Sequence, residues 1–380
     1  MAQEKKQTLK DVMNNINKKF GAGTVTTAAE AMKSGKLTKR VIPTPSLEVN
    51  NALYGGFSGI VELYGPHSSG KTSIAIDTIV KAQKADPKFQ VAWLETEGSI
   101  TDSILIDHGV DPERLVYWNQ EDVGGAENAL DVSRALVSSG EIQMIVINSL
   151  AGLSPKTEVE DDLSKQNIGL LARLMSKYFK VINGELSKNN VCCIVINQVR
   201  DKVGVMYGSP ETTTGGRALA FYASQRVRMS KLTLKAEDPI KDTEGVKISC
   251  SVTKNRFASK NCPFMKCEYY ALFAYGIDST VIVPQLAEEQ GVVIKKGAHW
   301  YYTTNAGEEL HFTSKNNFID ELRSNESLKE EIISKLGMSQ QQSDEEISNT
   351  IKEQEKIDKE VQEVEQEMDN EGDDFVEPNE

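Results

Sequence analysis

The amino-acid sequence predicts an α/β fold built on a mixed, largely parallel central sheet. From Ile60 onward, five short runs rich in Val and Ile alternate with segments of helical length, such as residues 72–85 and 125–138. Apolar strands separated by helices are typical of a parallel sheet that is buried on both faces. Three later runs, between residues 223 and 276, alternate in polarity and are joined by turns, which predicts antiparallel strands added to the same sheet.

The length of the chain limits its domain organisation. A chain of 380 residues can form one large core and a small appendage, because single hydrophobic cores stop growing near ~250–300 residues. We therefore divide it into four segments. These are an N-terminal helix and strand at 1–39, the α/β core at 40–280, a small C-terminal α/β domain at 281–342, and an acidic tail at 343–380 that we expect to be disordered.

The first segment has the pattern of an amphipathic helix. Apolar residues recur at helical spacing from Leu9 to Phe20, and Gly21 and Gly23 then end the predicted helix. The Thr- and Val-rich stretch at 24–27 predicts a short strand. Two interpretations stay open: the helix packs on its own core, or the helix and strand dock on a neighbouring subunit.

The net charge and the cysteines bear on the possible partners of the protein and on the redox state of its thiols. The formal charge of −13 resides in residues 344–380, and residues 1–343 carry 40 charges of each sign. A balanced body does not exclude a nucleic-acid partner. Five cysteines without framework spacing favour reduced thiols, and Cys262 and Cys267 alone do not predict a zinc site. With no secretion signal and no run of ~18 apolar residues, we expect a cytoplasmic protein without membrane contact.

A phosphate-binding pattern lies directly after the first core strand and directly before a helix. In such a loop the backbone N–H groups turn toward a β-phosphate, the lysine reaches the β- and γ-phosphate oxygens, and the hydroxyl ligates Mg²⁺. The pattern therefore predicts a nucleoside triphosphate with Mg²⁺, and hydrolysis as the activity. Its residues are Gly65, Pro66, His67, Ser68, Ser69, Gly70, Lys71 and Thr72, followed by Ser73.

Polar residues end three of the later predicted strands. Glu95 and Glu97 stand at a sheet edge where ligands bind in doubly wound folds, and one of them is a candidate for orienting water, unless both are merely solvated. Asn148 stands where such enzymes place an Mg²⁺-supporting Asp. Since Asn brings no charge, we expect weaker Mg²⁺ support or slower hydrolysis. Gln198 and Arg200 end a further apolar strand that runs into a polar, glycine-rich segment, which suggests a sensor joined to a ligand-binding loop.

The order of these motifs resembles the bacterial RecA recombinase family over most of residues 8–300. The resemblance implies a RecA-like P-loop ATPase core with DNA-binding loops, an N-terminal helix-strand arm for oligomerisation, and a small C-terminal α/β domain. The departures from the family indicate a divergent member. A bacterial copy and a bacteriophage copy, which would act in the host cytoplasm, both stay open. The matching segments are GPHSSGKT, LETEG, VINSLAGLSPKTEVE, IGLLARLMSK, INQVRDKVGVMYGSPETTTGGRALAFYAS and TKNRFA, of which PETTTGG is highly specific.

The resemblance also implies roles for single residues at the nucleotide. Lys71 and Thr72 match the phosphate and Mg²⁺ ligands, Glu97 matches the glutamate that activates water, and Gln198 matches the glutamine that senses the γ-phosphate. The basic residues that reach ATP on the neighbouring subunit are matched by Lys254 and Arg256. Hydrolysis would then depend on filament assembly.

The first DNA loop is expected near residues 156–168 and the second near 200–217. Cationic groups and backbone amides there would contact phosphates without reading the base sequence. On the residues alone, Arg173 and Lys180 would be taken for the solvated face of a helix. The positions that match the family's contacts to the primary strand are Arg173, Ser176, Lys180, Arg200, Thr214, Gly215, Gly216 and Arg217.

Several positions depart from the family. His67 replaces an acidic residue, Asn148 an aspartate, Ile104 an aromatic residue that stacks on adenine, and Asp201 an apolar loop residue. Ser249 and Ser251 replace basic residues of the second, duplex-capturing DNA site. We expect that site to use other cations instead, such as Arg226, Arg228 and Lys231.

The predicted function is DNA-dependent ATP hydrolysis that drives homologous pairing and strand exchange in recombinational DNA repair. The expected partners are single-stranded DNA, homologous duplex DNA and further copies of the chain in a helical filament. The acidic tail at 344–380 is a hypothesised brake on DNA uptake. Two rivals stay open: a ring-forming helicase of the same fold, and a catalytically weak, ATP-gated filament that coats single-stranded DNA.

Overall fold

The computed structural model describes residues 7–160, 169–201, 211–236, 238–258, 262–273 and 275–336. The predicted acidic tail at 343–380 lies outside the described residues. So do parts of both predicted DNA loops, at 161–168 and 202–210, and the side chain of Asp201. No helix in the described ranges is both long enough and apolar enough to cross a bilayer.

The described elements alternate in type along the core, as the periodicity of the sequence predicts. The strands are β1 Val41–Ile42, β2 Phe57–Ser58, β3 Ile60–Gly65, β4 Val91–Glu95, β5 Leu115–Asn119, β6 Met144–Asn148, β7 Cys192–Asp201, β8 Glu211–Thr213, β9 Gln225–Leu232, β10 Gly245–Asn255, β11 Lys266–Leu272, β12 Gly276–Ile277, β13 Ile294–Lys296, β14 His299–Thr303 and β15 Glu309–Phe312. The α-helices are α1 Leu9–Phe20, α2 Ala28–Lys33, α3 Leu47–Leu53, α4 Lys71–Ala85, α5 Asp102–His108, α6 Ala126–Ser139, α7 Lys156–Glu160, α8 Leu170–Asn189, α9 Ala218–Tyr222, α10 Val283–Glu289, α11 Lys315–Ser324 and α12 Glu326–Lys335.

The central sheet is mixed and largely parallel, which confirms the predicted fold class. Its path is β12-β11-β10-β9-β3-β7-β6-β4-β5. The strands from β9 to β5 run parallel to one another, and β10, β11 and β12 continue the sheet antiparallel. The carboxyl ends of the parallel strands lie at the same edge of the sheet. The loops after β3, β4, β6 and β7 therefore lie together at this edge.

Both faces of the sheet are buried, as expected for a parallel sheet flanked by helices. One face packs side chains such as Trp93 and Leu63 against α3 and α4. The other packs side chains such as Ile147 and Leu94 against α6 and α8. The two apolar layers hold the strand ends rigidly, so the site at the edge rests on a packed scaffold.

The N-terminal helix forms at the predicted bounds, but it packs on no core of its own. None of its residues is buried, and Leu9 and Phe20 are 77% and 66% exposed. The strand predicted at 24–27 is absent. A strand needs a partner, and here the side chain of Asn17 takes that place, accepting from the Val25 N–H at 2.9 Å and donating to the Val25 carbonyl at 2.8 Å. A short helix, α2, follows instead.

Residues 283–336 form a small α/β unit. The antiparallel sheet β13-β14-β15 packs its inner face on α11 and α12. Phe312 and Phe318 stack at its centre with ring centroids 4.2 Å apart. Leu47 of α3 joins the same apolar cluster, which ties this unit to the main core.

Candidate nucleotide and DNA site

The loop between β3 and α4 has the geometry of a phosphate cradle. A Cβ on Gly65 would lie 2.0 Å from the carbonyl oxygen of Met229, and Gly70 has a φ of +81°, so both positions require glycine. The N-cap residue of α4 is Gly70, which has no side chain with which to cap the helix. The backbone N–H groups of its first turn therefore remain available to an anion, in the favourable field of the helix dipole.

Lys71 lies over this loop. Its Nζ donates to the carbonyl oxygens of Gly65 at 3.1 Å and Pro66 at 2.6 Å, and to Ser69 Oγ at 3.2 Å. Burial lowers the pKa of Lys71, and the carboxylate of Glu97 acts in the opposite direction. The ammonium group is thus held near the loop by weak acceptors that phosphate oxygens can replace.

Glu97 and Gln198 meet across the sheet edge. Gln198 donates from Nε2 to Glu97 Oε1 at 2.8 Å, and the hydroxyl of Ser149 donates to the same oxygen. Within the described part of the chain, the second carboxylate oxygen of Glu97 makes no hydrogen bond. The pair therefore holds one oxygen fixed and presents the other, which is the arrangement needed to orient a water molecule.

Asn148 lies between the phosphate loop and a second carboxylate. Its Oδ1 is 3.5 Å from the Thr72 hydroxyl, while its Nδ2 donates to Glu95 at 2.8 Å and to Ser99 Oγ at 3.0 Å. Glu95 is buried and is therefore not simply solvated. The sequence did not predict this role, because the partners of Glu95 come from another strand and from the following loop.

The strand β7, which carries Gln198, continues into the predicted second DNA loop. The strand β8 returns from that loop and pairs with the end of β7, so that Arg200 faces Thr212. Beside Gln198, Asn197 donates to Glu62 at 3.0 Å and to the carbonyl of Thr214 at 3.1 Å. One strand therefore connects the nucleotide edge to the base of the loop.

Three of the predicted contacts to single-stranded DNA lie on α8. Arg173, Ser176 and Lys180 are exposed, at spacings that place them on one face of the helix. Gly216 approaches this helix so closely that a Cβ would lie 2.9 Å from Cβ of Ala172. The structure therefore brings the end of the second loop to the start of the cationic helix face.

The remaining loop positions surround this contact. Gly215 packs against Leu150, where a Cβ would lie 2.4 Å from a methyl group, and Arg217 is exposed at the start of α9. Thr214 has a buried hydroxyl without a partner among the described residues. Both Gly215 and Gly216 have positive φ, so the loop returns through a turn that favours glycine.

Lys254 and Arg256 lie at the other end of the sheet. Lys254 donates to the carbonyl oxygens of Ala220 at 2.8 Å and Phe221 at 2.9 Å, and Arg256 also donates to Phe221 at 2.8 Å. Desolvation, followed by the charges of Arg256 and Arg226, lowers the pKa of Lys254 to about 8. These cations do not join the phosphate loop of their own chain.

Two of the three cations that we expected to serve the second DNA site form ion pairs with acidic side chains. Arg226 pairs with Glu62, and Arg228 makes two hydrogen bonds of 2.7 Å to Glu211. Of the three cations proposed from the sequence, Lys231 is the most exposed. The expectation overlooked the acidic partners because strand register, which brings Glu62 and Glu211 to these arginines, is a non-local property.

Two departures from the family lie at the nucleotide edge. His67 is exposed at the tip of the phosphate loop. Ile104, on α5, is partly buried and packs against the core cluster beside α4. An aliphatic side chain at this position offers no aromatic face for a base to stack on.

The sequence matches the family model described as the RecA N-terminal domain over residues 7–278. Protein RecA of Heliobacterium modesticaldum is 39% identical over 338 residues, which cover 87% of this chain and 92% of the relative. Protein RecA of Bacteroides thetaiotaomicron is 41% identical over 307 residues, covering 78% and 87%. Protein RecA of Thermus aquaticus is 38% identical over 344 residues, covering 88% and 95%.

Proposed function

The chain belongs to the RecA family, with the function of a RecA recombinase in homologous recombination and DNA repair, and we propose that it is a DNA-dependent ATPase that assembles on single-stranded DNA. The observation that carries this proposal is the hydrogen bond from Gln198 to Glu97. Gln198 is on the strand that leads into the second DNA loop, and Glu97 is the candidate water-orienting carboxylate. We therefore expect DNA binding at the second loop and nucleotide binding beside Glu97 to affect each other.

The residues of the phosphate loop fit ATP and Mg²⁺. The uncapped start of α4 and the weakly held Lys71 suit the phosphates. The Thr72 hydroxyl would ligate Mg²⁺, and the amide oxygen of Asn148 lies beside it as a hydrogen-bond acceptor. When bound, Mg²⁺ neutralises charge on the phosphates. Glu97 orients the attacking water through its second oxygen, and Gln198 holds the carboxylate in place.

We assign the grip on single-stranded DNA to the exposed face of α8 and to the adjoining turn. Arg173 and Lys180 provide charge, and Gly215 and Gly216 allow backbone amides to approach phosphates closely. Contacts of this kind hold the backbone and leave the bases readable. That property suits a strand that must be compared with a homologous duplex.

The proposed assembly is a head-to-tail filament. Lys254 and Arg256 would complete the ATP site of the neighbouring subunit, since they lie away from their own phosphate loop. The exposed apolar face of α1 suits docking on a neighbour, which favours the second of the two interpretations of the N-terminal segment. An interface of this type repeats without closing and generates a helix of subunits.

The direct test combines hydrolysis with imaging. Phosphate release is measured with and without single-stranded DNA, and the protein is imaged with DNA and an ATP analogue that is hydrolysed slowly. DNA-stimulated release and continuous helical filaments are expected. Discrete rings would favour the helicase, and filaments without DNA-stimulated release would favour the ATP-gated coating protein that Asn148 suggests.

A further inference from the structure

Glu95 accepts hydrogen bonds on both of its oxygens. Oε1 accepts from the backbone N–H groups of Glu97 at 2.9 Å and Ser99 at 3.2 Å. Oε2 accepts from Trp93 Nε1 at 2.9 Å and from Asn148 Nδ2 at 2.8 Å. Only 1% of the residue is exposed, so these donors replace water as its surroundings. A carboxylate is the side chain that offers acceptors in all of these directions.

This carboxylate decides which way the Asn148 amide points. The amide nitrogen faces two acceptors, Glu95 Oε2 and Ser99 Oγ, which leaves the amide oxygen toward the Thr72 hydroxyl. If the amide were turned over, its oxygen would face a carboxylate oxygen and its nitrogen would face Thr72. The first contact is repulsive, so the observed orientation is fixed.

We propose that Glu95 is a positioning residue for Mg²⁺ support: it locks Asn148 with its oxygen toward Thr72, and it supplies from one hydrogen bond away the negative charge that Asn148 lacks. This inference rests on the proposed ATPase function and deepens it. The site therefore keeps an acceptor beside the metal ligand and a carboxylate behind that acceptor. The competing explanation is that Glu95 only fixes the loop at 96–99.

The two explanations differ for Glu95→Gln. The amide oxygen of the new side chain takes the place facing the Glu97 and Ser99 N–H groups, so its NH₂ group faces Asn148. This NH₂ group also faces Trp93 Nε1, which loses its acceptor in the single and in the double variant alike. The contact between the two NH₂ groups is relieved if Asn148 turns over and accepts from the glutamine. The nitrogen of Asn148 then faces Thr72, and the acceptor beside the metal ligand is lost.

The double variant Glu95→Gln with Asn148→Asp reverses this loss. One oxygen of the aspartate accepts from the glutamine NH₂ group, and the other faces Thr72 as an acceptor with charge. Metal support is therefore expected to return when the second change is added to the first. Loop fixation alone predicts no such recovery, because the second change adds no acceptor for the loop N–H groups.

The test measures metal binding directly. Free Mn²⁺, used in place of Mg²⁺, is counted by electron paramagnetic resonance in the presence of the full chain and ATPγS, and thermal unfolding of each variant without ligand is recorded in parallel. Glu95→Gln is expected to weaken Mn²⁺ binding about tenfold, and the double variant to restore it to within about threefold of the original protein. Glu141→Gln, the same change at an exposed position before β6, is the matched control and should leave binding unaltered.

Equal loss of Mn²⁺ binding in the single and double variants would overturn the inference. A Glu95→Gln variant that binds Mn²⁺ as tightly as the original protein would also overturn it. If Glu95→Gln does not fold, Asn148→Asp carries the test, because it sets two carboxylates at the 2.8 Å contact. Its unfolding temperature should then fall, and adding Glu95→Gln should raise it again; a further fall would overturn the inference. A wild-type chain that hydrolyses ATP but fails these tests retains the proposed function, whereas one that does not bind Mn²⁺ and ATPγS refutes both.

Discussion

Lys254 lies at the end of the central sheet opposite to Lys71. Gln225 pairs with both Val61 and Asn255, so Lys254 is level with the beginning of β3, whereas Lys71 follows the end of that strand. The two cations therefore cannot act on one nucleotide within a single chain. In a head-to-tail polymer the opposite ends of two sheets meet, and a site shared between subunits follows.

Mixing two inactive variants tests the shared site. Lys71→Ala removes the phosphate lysine, and the pair Lys254→Ala with Arg256→Ala removes the cations offered to the neighbour. Each alone should lose DNA-stimulated hydrolysis. A one-to-one mixture should recover roughly a quarter of the original rate, because one interface in four then joins an intact loop to intact cations.

Phosphate release from the mixture measures this recovery. The exposed Lys188 in the last turn of α8 supplies the control, since Lys188→Ala should leave hydrolysis close to that of the original chain. If the Lys254→Ala and Arg256→Ala variant keeps DNA-stimulated turnover on its own, the cations have no role in the neighbouring site.

Assembly should weaken as the pH rises from about 8 to 10. In the free chain the pKa of Lys254 is lowered to about 8, mainly by desolvation. A neighbour's phosphates favour the charged form, so assembly raises this pKa and takes up protons where the free lysine is neutral. Over the same pH range the unfolded lysine binds more protons than the folded one. This group therefore makes the folded chain more stable as the pH rises, and it does not itself promote unfolding.

Light scattering against pH, with ATPγS and single-stranded DNA, measures this effect. Lys254→Arg retains its charge throughout the range and should remove most of the pH dependence. A Lys254→Arg filament that weakens in parallel with the original chain would assign the dependence to another group.

Much of the fold can be predicted from the sequence because the signals are local. Val- and Ile-rich runs and glycine positions mark the strands and the phosphate loop without knowledge of their neighbours. The predicted strand at 24–27 is absent because a strand depends on a partner, and Asn17 replaces that partner with side-chain hydrogen bonds. The local sequence pattern of residues 24–27 does not show that the side chain of Asn17 forms these hydrogen bonds.

The candidate site also contains residues that local motifs predict and residues that depend on neighbouring strands. Glu97 and Gln198 follow from family motifs, and the structure joins them. The engagement of Glu95 and the pairing of Arg226 and Arg228 do not follow, since they depend on which strands are neighbours and in what register. A lone Glu62 within the apolar run of β3 was the available signal for one of them, because a buried carboxylate requires a partner.

Removing a phosphate contact on α8 should change the salt dependence of DNA binding. For single strands, each lost contact lowers the slope of log affinity against log salt by about 0.7. Arg173→Ala and Lys180→Ala should each have this effect, with weaker binding of every DNA sequence to a similar extent. Fluorescence anisotropy at several salt concentrations measures the slope, and Lys188→Ala in the last turn of α8 is the control. An unchanged slope in both test variants would remove this helix face from the DNA site.

Glu97→Gln should separate assembly from hydrolysis. Glutamine can still accept hydrogen bonds from Gln198 and Ser149 through its oxygen, so the edge of the site keeps its shape. It cannot take a proton from water, and general-base catalysis contributes about 10²- to 10⁴-fold to such reactions. DNA-stimulated turnover should fall by that factor while ATP-dependent filaments on single-stranded DNA persist longer than those of the original chain. The decay of filaments after dilution, observed by electron microscopy beside phosphate release, distinguishes this outcome from a loss of folding. Turnover near the original rate would transfer the role of base from Glu97 to another group.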